Sequence, residues 1–243
     1  MEAYFGHRAR LGLIVPPNNT VSEAEWASAL PAGVTLHSMR FQLNPIARTE
    51  AELLVLTSGL QSACQLLSEA ELNAIAFACT APSARSPRSE MEALMTASSQ
   101  LPCATAGAAV VDALKTVSAR KVVLISPFSE AVTRHEADFM EQEGINVLSL
   151  HSLGHCTYQP GLKLGIHRIA PAQVRDTVLS LDTSGADAIV LSGTNLVTFP
   201  VLQEIEANTG RLVISSNQAL LWSTLRKAKV EDRLPLGRIF EVA

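Results

Sequence analysis

The chain has 243 residues, of which 47% are hydrophobic and 17% charged, a composition that suits a core-rich globule and excludes a disordered chain. A net charge of −4 with no run of Lys and Arg argues against a nucleic-acid surface. No apolar run approaches the ~20 residues of a bilayer span, and residues 1–8 lack a secretory apolar core, so a cytoplasmic protein with no membrane partner is expected.

Apolar, β-branched runs alternate with helical patterns, which is the rhythm of a parallel α/β architecture. A strand at 11–15 opens the series, and another at 34–39 follows Gly33, where a turn is needed. A helix at 50–67 leads to a strand at 74–78 and then to helices at 87–99 and 106–114. The rhythm resumes with a strand at 122–125, a helix at 130–143 capped by Gly144, and a strand at 145–150. A helix at 171–181, a strand at 188–191, a helix at 201–208, Gly210, a strand at 212–215 and a helix at 218–227 complete it. Pro171 and Pro200 stand near helix starts, where a missing N–H costs little.

The two parts of this series say nearly the same thing. Arg10-Leu-Gly-Leu-Ile-Val-Pro16 is echoed by Lys121-Val-Val-Leu-Ile-Ser-Pro127, and residues 72–80 by residues 186–194. Residues 102–114 are echoed by 213–225, again at nearly the same spacing. A duplicated α/β unit is therefore expected: two pseudo-symmetric Rossmann-like halves with parallel sheets and an active site in the cleft between them. The first half is expected to span 1–105 together with 217–243, the second 106–216.

Ligands of open parallel sheets bind beyond the carboxyl ends of the strands. At the matched strand end the first half carries Cys79-Thr80 and the second Gly193-Thr194. Backbone N–H groups of the turn after Cys79 would favour a thiolate; the alternative is a buried, inert cysteine. Asn18-Asn19-Thr20 follows the first strand and could hold a carboxylate, or serve as ordinary turn and cap residues. Thr80 and Thr194 offer paired hydroxyls, with Asn195 beside them. Gly193 is either a turn glycine or the place where a second cysteine would otherwise stand. Lys163, His167 and Arg168 could meet an anion or lie in solvent. His151 and His155 next to Cys156 are read as a strand-to-loop segment rather than a metal site, and the four cysteines show no C-x-x-C spacing. Nucleotide, lipase and zinc-protease motifs do not occur.

Leu-Gly-Leu-Ile-Val-Pro-Pro-Asn-Asn-Thr-Val-Ser-Glu at 11–23, Ala-Cys-Thr at 78–80 and Leu-Ser-Gly-Thr-Asn-Leu at 191–196 resemble the Asp/Glu racemase superfamily, in its maleate cis–trans isomerase and arylmalonate decarboxylase branch. The resemblance covers essentially the whole chain. It implies a site without a cofactor and a small carboxylate substrate held by strand-end hydroxyls and amides. It also implies a cysteine nucleophile similar to Cys79 that adds to an alkene, lets the new single bond rotate, and leaves. Asn19, Thr80, Ala81, Phe128, Gly193 and Thr194 are the substrate-binding positions carried over, with no metal, and an assembly of identical copies is expected. Two departures stand out. Racemases of the superfamily use two facing cysteines and the decarboxylases a second one, where this chain has Gly193. Isomerases and decarboxylases place a tyrosine where it has Phe128. The expectation is therefore a maleate-isomerase-like enzyme using Cys79, with a one-base racemase or decarboxylase, or a carboxylate-binding protein without catalysis, as alternatives.

Overall fold

The computed structural model describes residues 4–41, 50–84, 88–156 and 165–242. Among them, eight strands form two four-stranded sheets, and every pairing is parallel. The first sheet holds β1 (Ala9–Val15), β2 (Val34–Arg40), β3 (Ala74–Phe77) and β4 (Cys103–Thr105), in the order β2-β1-β3-β4. The second holds β5 (Lys121–Phe128), β6 (Asn146–Cys156), β7 (Ala188–Leu191) and β8 (Leu212–Ser215), in the order β6-β5-β7-β8. The two orders are the same order, one repeat apart, as the duplicated sequence requires.

Each central strand is buried on both faces, which is why it reads as an unbroken apolar run rather than an alternation. Leu11, Leu13 and Val15 of β1 point into a core shared by both halves, whereas Ile14 points into a second cluster outside the first sheet. In β5, Val122 and Leu124 face the shared core and Val123 and Ile125 an outer cluster of their own. Helices α5 (Ala106–Thr116) and α9 (Ser216–Lys227) lie in the shared core through Val110, Leu114, Leu220 and Leu225. The outer layers are α2 (Glu50–Ser68) with α4 (Arg88–Ser99) on the first sheet, and α7 (Pro171–Leu179) with α8 (Leu202–Thr209) on the second. A fifth peripheral helix, α6 (Glu130–Gln142), packs on β5 and β6. No helix among the described residues is long and apolar enough to cross a membrane.

The pattern-based expectations hold for the long elements and fail at short ones. Gly33, Gly144 and Gly210 do take positive φ at turns, with α6 ending one residue before the expected boundary region and Gly144 just beyond it. Helix α9 begins at Ser216 rather than 218, because Ser215 and Gln218 form a reciprocal capping box that places the N-terminus two residues earlier. Strand β6 runs to Cys156 instead of stopping at 150. Three α or β elements were not expected, β4, the single-turn α3 (Thr80–Ser83) and α1 (Ser22–Ala29), nor were the 3-10 turns at Ile166–Arg168 and Arg238–Glu241.

Helix α1 ties the halves together through polar groups. Glu25 is buried, and its Oε1 accepts from the backbone N–H groups of Thr198 (2.6 Å) and Phe199 (2.8 Å). Its Oε2 accepts from Asn217 Nδ2 at 2.7 Å, and Trp26 Nε1 donates to the Asn217 carbonyl at 3.2 Å. Burial pushes the Glu25 pKa up from 4.5 to about 7, although each of these hydrogen bonds pulls it back. The folded chain thus holds a proton that the unfolded chain releases near pH 4.5, and the stability linked to that proton is lost as pH rises towards about 7. Urea unfolding of Glu25→Gln between pH 5 and 7 should show a flatter fall in stability with pH than the parent chain.

Candidate active site

Four strand ends converge between the sheets. β1 runs into Pro16–Pro17–Asn18–Asn19, β3 into Cys79, β5 ends at Phe128, and β7 runs into the turn at 192–195. Together they enclose a cavity of about 240 Å³, smaller than the ~300–1,000 Å³ of sites for drug-sized ligands. The first half lines it with Pro16, Pro17, Asn18, Asn19, Cys79, Thr80, Ala81 and Pro82. Phe128, Thr194 and Asn195 line it from the second half, together with Ile166 from the 3-10 turn Ile166–Arg168.

Cys79 is half-buried at the N-cap of α3, in extended conformation. Being a single turn, α3 has no internal acceptors for the N–H groups of Thr80 and Ala81. The Thr80 hydroxyl lies 3.4 Å from Ser216 Oγ, a long contact that leaves it able to turn elsewhere. A thiol, Thr80 and two backbone donors therefore share one corner of the cavity.

Asn19 and Thr194 reach the cavity wall with their polar groups already engaged. Asn19 Nδ2 donates to Ser22 Oγ (2.9 Å) and Thr194 Oγ1 (3.3 Å), while its Oδ1 accepts from the N–H groups of Val21 and Ser22. The Thr194 hydroxyl donates to the Ala78 carbonyl at 2.8 Å. Asn195 accepts from Thr20 N–H (3.0 Å) and donates to the Asn18 carbonyl (3.2 Å). These side chains lock the loop after β1 of one repeat to the loop after β7 of the other; the paired-hydroxyl carboxylate clamp expected from Thr80 and Thr194 does not form, because only Thr80 keeps a proton to give. Arg40 braces the same loop from outside, donating to the Asn19 carbonyl at 2.7 Å and pairing with Glu23.

Gly193 stands behind the wall rather than on it. Its N–H donates to Ser216 Oγ at 3.1 Å, so it is not directed at a ligand. Its φ of +102° is one that side-chain-bearing residues rarely adopt, and a Cβ there would meet Pro127 Cγ at 2.9 Å. The turn and its neighbour both favour glycine, and a side chain at this position would have to displace Pro127.

The structure also corrects the expected thiolate. Burial raises the Cys79 pKa above its ordinary value, and the Glu136 carboxyl raises it further, so the resting group is the thiol. Glu136 is a residue that sequence reasoning missed. It is almost fully buried on α6, and its Oε2 accepts from Ser192 Oγ at 2.6 Å, beside Gly193, while Oε1 has no partner. Burial pushes its own pKa up from 4.5 to about 8, against the opposing Ser192 bond. The signal was present: Thr133, Glu136, Ala137 and Met140 share the helix-period buried stripe of α6. Ile166 and the rim prolines carried no comparable signal. His167 and Arg168 do not line the cavity, and Lys163 lies outside the described residues, as do the side chains of His155 and Cys156. His151 Nε2 lies 3.2 Å from Ser149 Oγ, and no group of three potential metal ligands occurs among the described residues.

Two repeated parallel sheets with Cys79 between their carboxyl ends place the protein in the class of two-lobed α/β proteins to which the Asp/Glu racemase superfamily belongs. More narrowly, the chain belongs to the arylmalonate decarboxylase family, whose model matches residues 11–240. It is 24% identical over 242 residues to a maleate isomerase of Pseudomonas putida, covering 93% of this chain and 94% of that one. It is 28% identical over 143 residues to an arylmalonate decarboxylase of Bordetella bronchiseptica, covering 58% of each. The fold matches a cysteine-to-serine mutant of Nocardia farcinica maleate cis–trans isomerase that carries a covalently bound succinylcysteine intermediate. The TM-score is 0.84 at 22% identity, over 96% of this chain and 98% of that one.

Gly193→Cys should lower stability by about 1–3 kcal/mol in urea unfolding, from the positive φ alone, before any strain against Pro127. Glu136→Gln removes a charge that opposes the thiolate above pH 8. Alkylation of Cys79 by iodoacetamide, followed by mass spectrometry against pH, should therefore accelerate at lower pH in that variant than in the parent.

Proposed function

We propose that the protein is a cysteine-dependent cis–trans isomerase of the maleate-isomerase type, acting on a small unsaturated carboxylic acid. The observation that carries this reading is Cys79, the one thiol among the described residues that line the small cavity, beside free donors at Thr80 and Ala81. The relatives named above support it, since the maleate isomerases align over nearly the whole chain.

The substrate carboxylate sits at Thr80 and the backbone N–H groups of α3, and Cys79 Sγ attacks the farther alkene carbon. The S–C bond forms as the π pair moves towards the bound carboxyl, which becomes an enediolate stabilised by those donors. The thiol proton passes to a carboxyl oxygen in the same step, so no other base is needed. Rotation about the new single bond is followed by return of the electron pair, cleavage of C–S and recovery of the proton by sulfur. Asn19 and Thr194 keep the cavity floor in place, and Phe128 and Ile166 shield the intermediate from water. With glycine at 193, no thiol faces Cys79 from the matched strand end, and the reaction as written removes and returns no proton at carbon.

One observation favours a second reading. A thiol held protonated by burial suits donation to a carbanion, as in loss of CO₂ from an α-substituted malonate with Cys79 as the acid.

Proton NMR of the reduced protein with maleate in D₂O, beside Cys79→Ala, separates these readings. The expected result is fumarate that retains both vinyl protons, formed by the parent and not by the variant. Unchanged maleate together with CO₂ release from an α-substituted malonate would establish the decarboxylase instead, and binding without turnover of either would leave a carboxylate-binding protein.

A further inference from the structure

We infer that Ser216 is a positioning residue for the substrate carboxylate: its hydroxyl links the Gly193 N–H of the second repeat to Thr80 of the first and turns the Thr80 proton into the cavity. The inference rests on the isomerase reading above and adds to its carboxylate corner a residue that stands behind the cavity wall.

Ser216 opens α9 directly after the cap residue Ser215 and is buried. It is not among the residues that line the cavity. Two groups approach its Oγ: the Gly193 N–H, which donates at 3.1 Å, and Thr80 Oγ1 at 3.4 Å. A backbone N–H can only donate, so Ser216 Oγ accepts in the first contact and still has its own proton to place. Either hydroxyl can donate in the second. If Thr80 donates, the Ser216 proton is buried with no acceptor among the described residues, a destabilising arrangement. If Ser216 donates, every group is satisfied except the Thr80 proton, and Thr80 lines the cavity, where a ligand oxygen can take it. The order is then Gly193 N–H to Ser216, Ser216 O–H to Thr80, and Thr80 O–H to the carboxylate. A hydroxyl that accepts a hydrogen bond donates more strongly in turn, so each link supports the next. The corner is thereby fixed as a donor, which suits a carboxylate oxygen and turns away an ammonium or amide N–H.

The other repeat lacks this link. By strand register Thr105 and Ser215 hold matching places in β4 and β8, opposite Phe77 and Leu191, so the residue that matches Ser216 is Ala106 at the start of α5. No hydroxyl stands there, and Thr194, the counterpart of Thr80, donates to the Ala78 carbonyl. Equivalent threonines thus direct their protons differently, one at a ligand and the other at the protein.

The probe is succinate, a saturated diacid that cannot isomerise, and the readout is its protection of Cys79 from iodoacetamide. Ser216→Ala should raise the succinate concentration for half-protection about five- to tenfold, as expected for weakening one hydrogen bond to a charged group. In a Thr80→Val background the same substitution should change it by less than about twofold, because no Thr80 proton is left to direct. A merely structural role would weaken protection by the same factor in both backgrounds, and that result overturns the assignment. A second measurement depends on no variant folding: the Gly193 amide proton resonance of the parent should move downfield as succinate binds, although Gly193 does not line the cavity. An unmoved resonance overturns the link, and so does a parent that succinate fails to protect. The isomerase reading is decided separately, by turnover of maleate, so either can fail while the other stands.

Discussion

The structure depends on a buried polar seam that crosses from one repeat to the other. Asn19, Ser22 and Glu25 come from the first half, Thr194 and Thr198 meet them from the second, and Asn217 joins the set at the boundary between the two. Each is buried, so each would be costly if left unpaired. They satisfy one another instead: Ser22 Oγ lies 2.9 Å from both the Thr194 carbonyl and Asn217 Oδ1, and Asn217 Nδ2 adds a further bond to that carbonyl. An apolar contact would tolerate sliding between the halves, whereas this set of directional bonds fixes their register. The cavity lies directly on the seam, so the bonds that hold the repeats together also set the positions of its wall.

That arrangement explains why several residues of binding type have their polar groups engaged within the protein. Asn19 and Thr194 stand at the ligand surface and belong to the joint. Groups free to meet a ligand are left at the one corner where the joint makes no demand, at Cys79, Thr80 and Ala81. Glu136 bears on the same corner from behind the second sheet. A carboxyl that holds its proton to about pH 8 adds no charge to the neighbourhood of the thiol at neutral pH and adds one above it. Cys79 and Glu136 therefore both carry their protons at neutral pH.

Much of this was legible in the sequence, for identifiable reasons. β1, β3, β5 and β7 are buried on both faces, and such strands announce themselves as apolar runs between turn residues. The repeat then predicted that their ends would meet, and Cys79, Asn19, Thr80, Ala81, Phe128 and Thr194 do line one cavity. What escaped was short or polar. β4 is three small residues that run straight into α5, too brief for any period to show. α1 hides because its buried face carries Ser22 and Glu25 beside Trp26, so its amphipathic signal is nearly absent. Gly193 was placed at the right strand end with the wrong role, since hydrogen-bond commitments of a backbone N–H leave no trace in residue type.

The unequal strand ends have a stereochemical consequence. Two facing thiols would make the cleft nearly indifferent to which face of a planar substrate is attacked, because the pseudo-two-fold axis relates the two approaches. With a thiol at 79 and a glycine at 193, that equivalence is gone. With Cys79 as the nucleophile proposed above, and one carboxylate held at Thr80, attack comes from the first repeat, so the covalent adduct would form as one enantiomer at the sulfur-bearing carbon, and a fold built by duplication would become chiral in its chemistry by declining to duplicate one residue.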